Sequence, residues 1–534
     1  MWDIVRDSTF GQCLRLASGG KLAGYPEEQP GFRIPAGSLE PSASSSFTSS
    51  SNGELIGDPE KANEESNLPV IGWYSENDPE NPHNWSSRKK LWVAMLLFVY
   101  TFSVYIGSSL YTASEPDIMR IYGVGDEVAE LGLTMYVLAY GLGPMLFSPL
   151  SEIPAVGRTL PYTVTYFLFV ILCIPMPLVD NIAGILIVRF LLGFFGSPCL
   201  ATAGASYGDF YGAKEMPYVI ALWGGGATLG PALGPLVAGF AVEKMGWRWS
   251  SWELLWLSAP TMVIMFFSMP ETSSDNILLR RARRLRAQTG RTDIRSESEI
   301  RQSKMSPRAI TFNALIKPWE INALDPAVLF STFYTALTYA IYYSFFESFP
   351  LVYRDMYGFT LGEQGLAFLA VLCGLCVAVG LLCAYFYFIA PKQLGKLDPV
   401  PPEARIWPGL FATWLIPTGL YIFAWTSTPS IHWIVSLVGI AISMCGVFII
   451  TQCMFIYLPF TYPRYAGSLF AANGLARSLL AGASILFSRP MFEGIKVSGG
   501  VTLLASLSVL CIMGMFLLYF FGARLRERSR FTGM

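Results

Sequence analysis

The sequence predicts an all-α integral membrane protein with twelve transmembrane helices in two six-helix bundles. Of its 534 residues, 53% are hydrophobic and only 14% are charged, whereas soluble domains carry about a quarter charged residues. Twelve apolar runs have roughly the 20-residue length that crosses a bilayer as a helix. A polar, basic stretch separates the first six runs from the last six. This pattern excludes the ordinary soluble classes.

The first 87 residues are polar, and the stretch 41–51 is dominated by serine. Such a composition cannot bury enough apolar surface to fold by itself, so we expect a largely disordered N-terminal tail over 1–87. An N-glycosylation sequence, Asn84-Trp85-Ser86, ends this tail. Because the charge pattern described below places the tail in the cytosol, we expect Asn84 to stay unmodified.

The apolar runs define the two bundles. The first six cover 91–113, 129–150, 160–179, 183–204, 217–241 and 250–269, and they predict an N-terminal bundle over 88–270. The second six cover 327–352, 364–388, 407–426, 431–458, 465–488 and 499–522, and they predict a C-terminal bundle over 326–522. Two halves of six helices are typical of a duplicated transporter.

The distribution of Lys and Arg predicts the orientation. Counted from Arg88 onward and outside the runs, a cytosolic N-terminus places 24 of these residues on the cytosolic side and 6 on the other side, as the positive-inside rule requires. The linker (271–325) and the C-terminal tail (523–534) are then cytosolic as well. The basic run 280–286 in the linker either anchors this topology or binds anionic lipid.

The second apolar run ends in small residues and prolines, and the segment after it includes Glu152 and Arg158. Small residues let two helices approach closely. We interpret Glu152 and Arg158 as an acid–base pair at the cytosolic membrane edge, where the carboxylate could also cap the N-terminus of a neighbouring helix. The alternative is a tight turn with interfacial charges.

The fourth and fifth runs carry unusual residues. Arg189 lies within the fourth run, and a charge inside the membrane is expensive and normally faces a cavity or a partner. Its alternative is snorkelling toward the outer interface. The fifth run has glycines at four-residue spacing and two prolines, which predicts a flat, closely packed and bent helix.

The seventh run places Glu347 on the same helical face as several aromatic residues. An acid among aromatic rings suits a flat hydrophobic or cationic guest, and ordinary packing or lipid contact is the alternative. Because no histidine lies deep within a run, Glu347 is the preferred proton carrier. A structural acid held by the backbone or by Arg354 is the competing interpretation.

Polar residues in the tenth and eleventh runs are expected to face inward. Arg477 follows Asn473 by one helical turn, so it is either a second buried cation or the partner of an acid. The predicted substrate cavity comprises Tyr339, Tyr343, Phe346, Glu347, Gln452 and Asn473.

Several functional classes are disfavoured. The net charge of -1 provides no basic field for nucleic acid. The chain has two histidines and no combination of nucleophile, base and metal ligands, so we expect neither an enzyme nor a metal site. No GxxxxGK[ST] loop is present, which argues against ATP hydrolysis. Coupling to an ion gradient, or facilitated diffusion, remains, and neither requires a cofactor.

In combination, these runs resemble the major facilitator superfamily in the spacing of its motifs A, B and C. The matching residues are Gly143, Pro144, Ser148, Pro149, Glu152, Gly157 and Arg158 for motif A, Arg189 for motif B, and Gly226, Gly230, Pro231, Gly234, Pro235 and Gly239 for the antiporter motif C. Pro235 replaces the last glycine of the family's GPxxGG pattern.

The likeness is closer to the fungal twelve-helix drug:proton antiporter family, including yeast transporters that confer fluconazole and benomyl resistance. It is carried by Pro270-Glu271-Thr272, by 345–350, by Arg6-Asp7-Ser8, and by the segments 25–28 and 73–85. The fungal branch also shares the Glu152 and Pro154 of this chain's motif A. The resemblance spans nearly the whole sequence.

This resemblance implies a major facilitator fold and a plasma membrane exporter of hydrophobic or cationic drugs, such as azoles or benzimidazoles, in exchange for protons. It implies that Glu152 and Arg158 stabilise one conformer at the cytosolic gate, that Arg189 takes part in proton transfer, and that the helix-five run sets antiport. We expect a monomer whose partners are small drug-like molecules, protons and membrane lipids.

Other functions fit the same sequence. The same fold could export one endogenous secondary metabolite or import a nutrient, and the residues do not separate these tasks. A transporter-like receptor, whose tail and linker bind cytosolic partners, is more remote, because a receptor would not need Arg189 and Glu347 to remain charged.

Overall fold

The computed structural model describes residues 2–29, 31–32, 35, 39–41, 69–303, 316–395, 401–462 and 466–528. These residues confirm the predicted all-α fold of two six-helix groups. The first group comprises α1 (Ser87–Ser109), α2 (Asp126–Glu152), α3 (Thr159–Cys173), α4 (Ile182–Gly196), α5 (Met216–Met245) and α6 (Trp249–Ser268). The second group comprises α7 (Pro326–Phe349), α8 (Leu361–Leu394), α9 (Trp407–Thr426), α10 (Trp433–Thr461), α11 (466–494) and α12 (497–528).

Nine helical segments of the described chain are long and apolar enough to cross a membrane. The last of them, Leu469–Glu527, covers nearly all of α11 and α12, which are two helices because the backbone is non-helical at Ile495 and Lys496. Lys496 has a φ of 62°, a left-handed conformation that ends α11. α6 and α7 are richer in Ser, Trp and Tyr and complete the twelve.

Side-chain caps set several helix starts. Ser86, Asn181 and Asp325 each accept hydrogen bonds from backbone N–H groups in the first turns of α1, α4 and α7. These caps satisfy N–H groups that have no partner within the helix. The apolar runs therefore predict each helix, whereas polar residues outside the runs determine where the helix begins.

Shorter elements connect the membrane helices. They are the α-helices Trp2–Asp7, Thr9–Ala17, Glu115–Tyr122, Thr202–Phe210, Ser274–Thr289, Glu297–Ser303 and Lys317–Leu324, the 3-10 turns Pro26–Glu28, Pro82–Asn84, Thr112–Ser114, Met176–Leu178, Ser197–Leu200 and Pro402–Ile406, and the π-helical segment Pro350–Met356. Strand Pro69–Ile71 pairs antiparallel with Leu39–Pro41 and parallel with Arg295–Ser296. We call the end of the molecule that carries this sheet the linker end, and the opposite end the distal end.

The two bundles contact each other at both ends. α2 packs along α11, and α5 packs along α8. At the linker end, the Glu152 carboxylate of α2 lies against Gly467 in the first turn of α11. At the distal end, Arg489 of α11 lies 3.1 Å from Asp126 of α2. The centre of the molecule is therefore closed from both sides, which is an occluded arrangement.

The described N-terminal residues pack on the linker end of the first bundle. The Thr9 hydroxyl is 3.0 Å from that of Thr163 in α3, and the Phe10 ring contacts Phe266 and Phe267 in α6. This packing differs from the expected disordered tail over residues 2–29 and 69–86. Residues 42–68, which include most of the serine-rich stretch, lie outside the described residues.

Buried ion pairs explain why these N-terminal residues pack against the linker. Arg281, in the linker helix Ser274–Thr289, lies 2.7 Å from Asp78 and 3.0 Å from Glu80. Arg284 lies 3.2 Å from Glu80 and 3.3 Å from Glu27. Because both arginines are buried, these two members of the basic run are directed into the protein, and not toward anionic lipid.

Candidate transport pathway

A cavity of about 40 Å³ lies at the centre of the molecule, between the two bundles. α1 and α5 contribute to its wall from one bundle, and α7, α10 and α11 contribute from the other. Its aromatic and polar lining includes Tyr105, Thr228, Thr335, Tyr339, Tyr342, Gln452, Phe455 and Arg477. Of the predicted cavity residues, Tyr339 and Gln452 lie on this wall.

The other predicted cavity residues lie around the cavity. The Tyr343 hydroxyl is 2.9 Å from that of Tyr140 in α2, and Tyr140 also hydrogen-bonds to Tyr339. Phe346 stacks on Phe368 at 5.2 Å between ring centroids. These tyrosine hydroxyls connect α2 with α7, so they hold the bundles together beside the cavity.

Polar groups of α10 and α11 reach the cavity without protein partners. Both amide atoms of Gln452 are buried and make no hydrogen bond within the described residues, and the same is true of Arg477 Nε. The Arg477 guanidinium lies 5.2 Å from the Tyr339 ring and 4.9 Å from the Phe455 ring. Asn473, in contrast, donates to the Thr335 hydroxyl at 2.9 Å.

Glu347 belongs to a separate group of carboxylates toward the distal end. It is 4% exposed, and Glu130 of α2 is 3% exposed. The charges of Glu130, Glu115 and Arg489 all act on Glu347, and neither carboxylate oxygen of Glu130 has a hydrogen-bond partner among the described residues. Sequence reasoning missed Glu130, although an acid close to the start of an apolar run was the available signal. The charged groups that act on Glu347 are therefore these three, whereas the competing interpretation from the sequence names Arg354.

Arg189 is buried between α1, α2 and α4. Its guanidinium donates to the carbonyl oxygens of Gly107, Gly132 and Ser108 at 2.7, 3.0 and 3.0 Å. The rings of Tyr111 and Tyr136 each lie 4.5 Å from it. These contacts exclude snorkelling to the outer interface and make Arg189 a cross-link among three helices.

Motif A occupies the linker end. Arg158 forms its ion pair with Asp209 at 3.2 Å, and it also donates to the Ser151 hydroxyl at 3.0 Å. The expected pair of Arg158 with Glu152 is therefore replaced by two separate contacts, because Glu152 lies at the N-terminus of α11. A carboxylate at that position interacts favourably with the helix dipole across the bundle interface.

Other motif A residues shape the same region. Gly157 has a φ of 74°, and a Cβ atom there would lie 2.4 Å from the Glu271 carboxylate. That carboxylate accepts the backbone N–H of Arg158 at 2.9 Å. Gly143 faces Ser197, so α2 and the end of α4 approach closely. The remaining residues of the motif, Pro144, Ser148 and Pro149, lie in the last part of α2.

The motif C glycines of α5 form a close-packed face. Gly226, Gly230 and Gly234 contact α1, whereas Gly239 contacts Leu361 at the start of α8. The Pro235 carbonyl faces Gly365 of α8. Pro231 and Pro235 both lie inside the continuous helix. This one helix therefore touches both bundles through residues that have little or no side chain.

Comparison with known proteins agrees with this architecture. The model of the Major Facilitator Superfamily matches residues 97–486. The MFS-type transporter pyvG of Aspergillus violaceofuscus is 43% identical, with 100% of each chain covered. The cycloheximide resistance protein of Candida maltosa is 35% identical, with 99% of each chain covered. Fluconazole resistance protein 1 of Saccharomyces cerevisiae is 36% identical over 95% of this chain and 91% of its own.

Solved structures share the fold at low identity. The proton:xylose symporter XylE has a TM-score of 0.60 and 9% identity, covering 82% of this chain and 97% of its own. The human organic anion transporter MFSD10 has a TM-score of 0.56 and 14% identity, covering 80% of this chain and 99% of its own. From the family match, the full-length relatives and the two-bundle fold, we conclude that the chain belongs to the Major Facilitator Superfamily.

Proposed function

We propose that this protein exports small, drug-like compounds in exchange for protons by alternating access. The observation that carries the proposal is the occluded cavity between the bundles, with a separate group of buried carboxylates on the distal side. Relatives named for fluconazole and cycloheximide resistance support a drug-like substrate. The expected range remains hydrophobic or cationic toxicants, with azoles and benzimidazoles as examples.

In this proposal Glu347 carries the proton, and Glu130 assists it. Two carboxylates that lie near each other away from water repel each other, and a proton on one of them relieves that repulsion. Arg489 acts on both groups and also pairs with Asp126 of α2, so separation of α2 from α11 would change the charge near the pair. Arg189 orients α1, α2 and α4 around this region.

The remaining motifs have mechanical roles in this proposal. Glu152 stabilises the conformer in which α2 and α11 are closed at the linker end, and the α5 glycines let α1 and α8 slide along one helix. The linker end faces the cytosol, which is consistent with its excess of Lys and Arg. The protein acts as a monomer in the plasma membrane, with a proton gradient as its energy source.

Reconstitution tests the proposal. Proteoliposomes that contain only this chain and have an acidic lumen should accumulate radiolabelled fluconazole or cycloheximide, and a protonophore should abolish the accumulation. Drug accumulation that is unchanged by the protonophore would contradict proton coupling. If none of a panel of drug-like compounds moved in either direction, export itself would be wrong.

Glu347→Gln should abolish accumulation driven by the pH gradient, because the neutral amide cannot exchange a proton, whereas Glu347→Asp should retain part of it. Glu130→Gln should weaken the coupling. Glu127→Gln is the matched control, since Glu127 lies on the same helix as Glu130 but is exposed. Unchanged coupling in Glu347→Gln would exclude Glu347 as the carrier.

A further inference from the structure

The charge inside the central cavity has one sign. Among the described residues that line it, Arg477 is the only charged side chain, and the others are aromatic, aliphatic, hydroxyl or amide groups. The carboxylates of the protein's interior lie elsewhere, since Glu115 and Glu347 interact with each other and with Arg489. The cavity therefore presents a cation to its guest and no anion.

Arg477 is held in an unusual way. It is 7% exposed, and none of the described carboxylates forms an ion pair with it. The Tyr339 and Phe455 rings lie beside the guanidinium and attract its charge, while Nε has no hydrogen-bond acceptor among the described residues. Burying an unpaired charge is costly, so an anionic or strongly accepting group placed beside Arg477 would offset that cost.

Gln452 adds a second unsatisfied group on the same wall. Its amide is 1% exposed, and neither its nitrogen nor its oxygen has a partner among the described residues. Gly224 lies directly against this amide, and a Cβ atom there would come within 1.9 Å of Nε2. The glycine therefore provides the space in which the amide can reach a guest as donor or acceptor.

We propose that the cavity selects aromatic compounds that are anionic, or neutral with a hydrogen-bond acceptor such as a carbonyl, and disfavours lipophilic cations. The acceptor group binds Arg477 and Gln452, and the ring lies against Tyr339 and Phe455. Hydrogen bonds to a charged donor are the stronger ones, and the ring supplies the apolar contact. This inference rests on the proposed export function and narrows its substrate range.

Three probes with the same ring test the proposal: 1-naphthoate, 1-naphthamide and 1-naphthylmethylammonium. Binding to the purified full chain should be at least about tenfold weaker for the ammonium than for the other two. Weak amines and weak acids also cross a bilayer unaided in their neutral forms, so protein-free liposomes with the same acidic lumen give the passive uptake of each probe. Uptake above that background should be seen for the naphthoate and the naphthamide and should be absent for the ammonium. Equal or tighter binding of the ammonium would overturn the proposal.

Variants of Arg477 test whether this residue causes the preference for the naphthoate over the ammonium. Arg477→Gln should weaken naphthoate binding by about tenfold and leave ammonium binding unchanged or improved, and Arg477→Lys should restore part of the naphthoate affinity. Arg524→Gln, which removes an exposed arginine on α12, is the matched control. An unchanged preference in Arg477→Gln would contradict the assignment to Arg477.

A second variant keeps the proposal testable if Arg477→Gln misfolds. If Arg477→Gln does not fold, Gln452→Leu still tests whether this wall of the cavity binds the acceptor group. Gln452→Leu should weaken naphthamide binding, and its melting temperature should equal that of the unmodified chain. Unchanged naphthamide binding in this variant would also count against the proposal. Transport of cations alone would overturn this inference and leave proton-coupled export intact, whereas absence of all transport would overturn the export function instead.

Discussion

Arg189 shows how a membrane protein accommodates one buried charge. The sequence places this arginine in the middle of an apolar run, which predicts an internal partner but does not identify it. The structure supplies neutral partners: three backbone carbonyls from α1 and α2, and two tyrosine rings. A planar guanidinium has five donors in a fixed fork, so it can join two other helices to its own.

Arg189→Lys should destabilise the protein by about 3 kcal/mol. The ammonium keeps the charge but cannot reach all three carbonyls, and each lost hydrogen bond to a charged donor is worth about 1.5–3 kcal/mol. Thermal unfolding of the purified protein measures the change. Arg248→Lys is the control, because that arginine is half-exposed in its pair with Asp180, and an exposed pair contributes at most about 1 kcal/mol. Equal effects of the two variants would contradict the role of Arg189.

At the scale of one element, α5 shows why glycine spacing carries structural information. Gly226, Gly230 and Gly234 recur every four residues, which places them on one face of a helix. The structure confirms that this face meets α1. The sequence alone could not identify α1 as the partner, because the α1 residues that meet the glycines form no comparable pattern.

Gly230→Ala should destabilise the protein by about 1–3 kcal/mol and reduce transport, because a Cβ atom would lie 2.6 Å from the Ile106 backbone nitrogen and overpack the contact. Gly225→Ala is the matched control. A Cβ atom at Gly225 meets nothing within 4 Å, and alanine in an open helical position adds up to about 1 kcal/mol of stability. Thermal unfolding of both variants measures the two effects. A Gly230→Ala protein as stable as the unmodified chain would show that α1 and α5 are not tightly packed.

At the scale of the whole molecule, apolar length predicts the twelve helices well, because a helix that crosses lipid must satisfy its own backbone. Polar contacts between distant segments are not predictable in this way. Arg281 and Asp78 are separated by 203 positions, so no local pattern reveals that the linker arginine is buried. The same holds for the cavity: the sequence places Tyr339 and Gln452 on it but does not show that Arg477 is the only charged side chain among the described residues that line it.

The N-terminal segment and the linker helix thus form one polar contact whose pH dependence follows from two carboxyl groups. Burial raises the pKa of Glu80 above its usual range, although Arg284 and Arg281 act to lower it. Burial also acts to raise the pKa of Asp78, but the hydrogen bonds and charge of Arg281, together with hydrogen bonds from the Tyr74 and Glu80 backbone, outweigh it and hold that pKa below its usual range. Glu28, which pairs with Arg15, is shifted in the same direction as Asp78.

These opposite shifts predict a maximum of stability for this contact at mildly acidic pH. As the pH falls from neutral, folded Glu80 takes up a proton before the unfolded segment would, so the contact gains stability. Below about pH 4, Asp78 and Glu28 are protonated more readily in the unfolded segment, so their contribution is lost as the pH falls through their folded pKa values. Hydrogen exchange of the amides in Ser274–Thr289, corrected for the intrinsic rate at each pH, measures this profile. Glu80→Gln should remove the rise and Asp78→Asn should reduce the loss in acid, whereas protection that falls steadily from neutral pH would show that the two carboxyl groups do not control the contact.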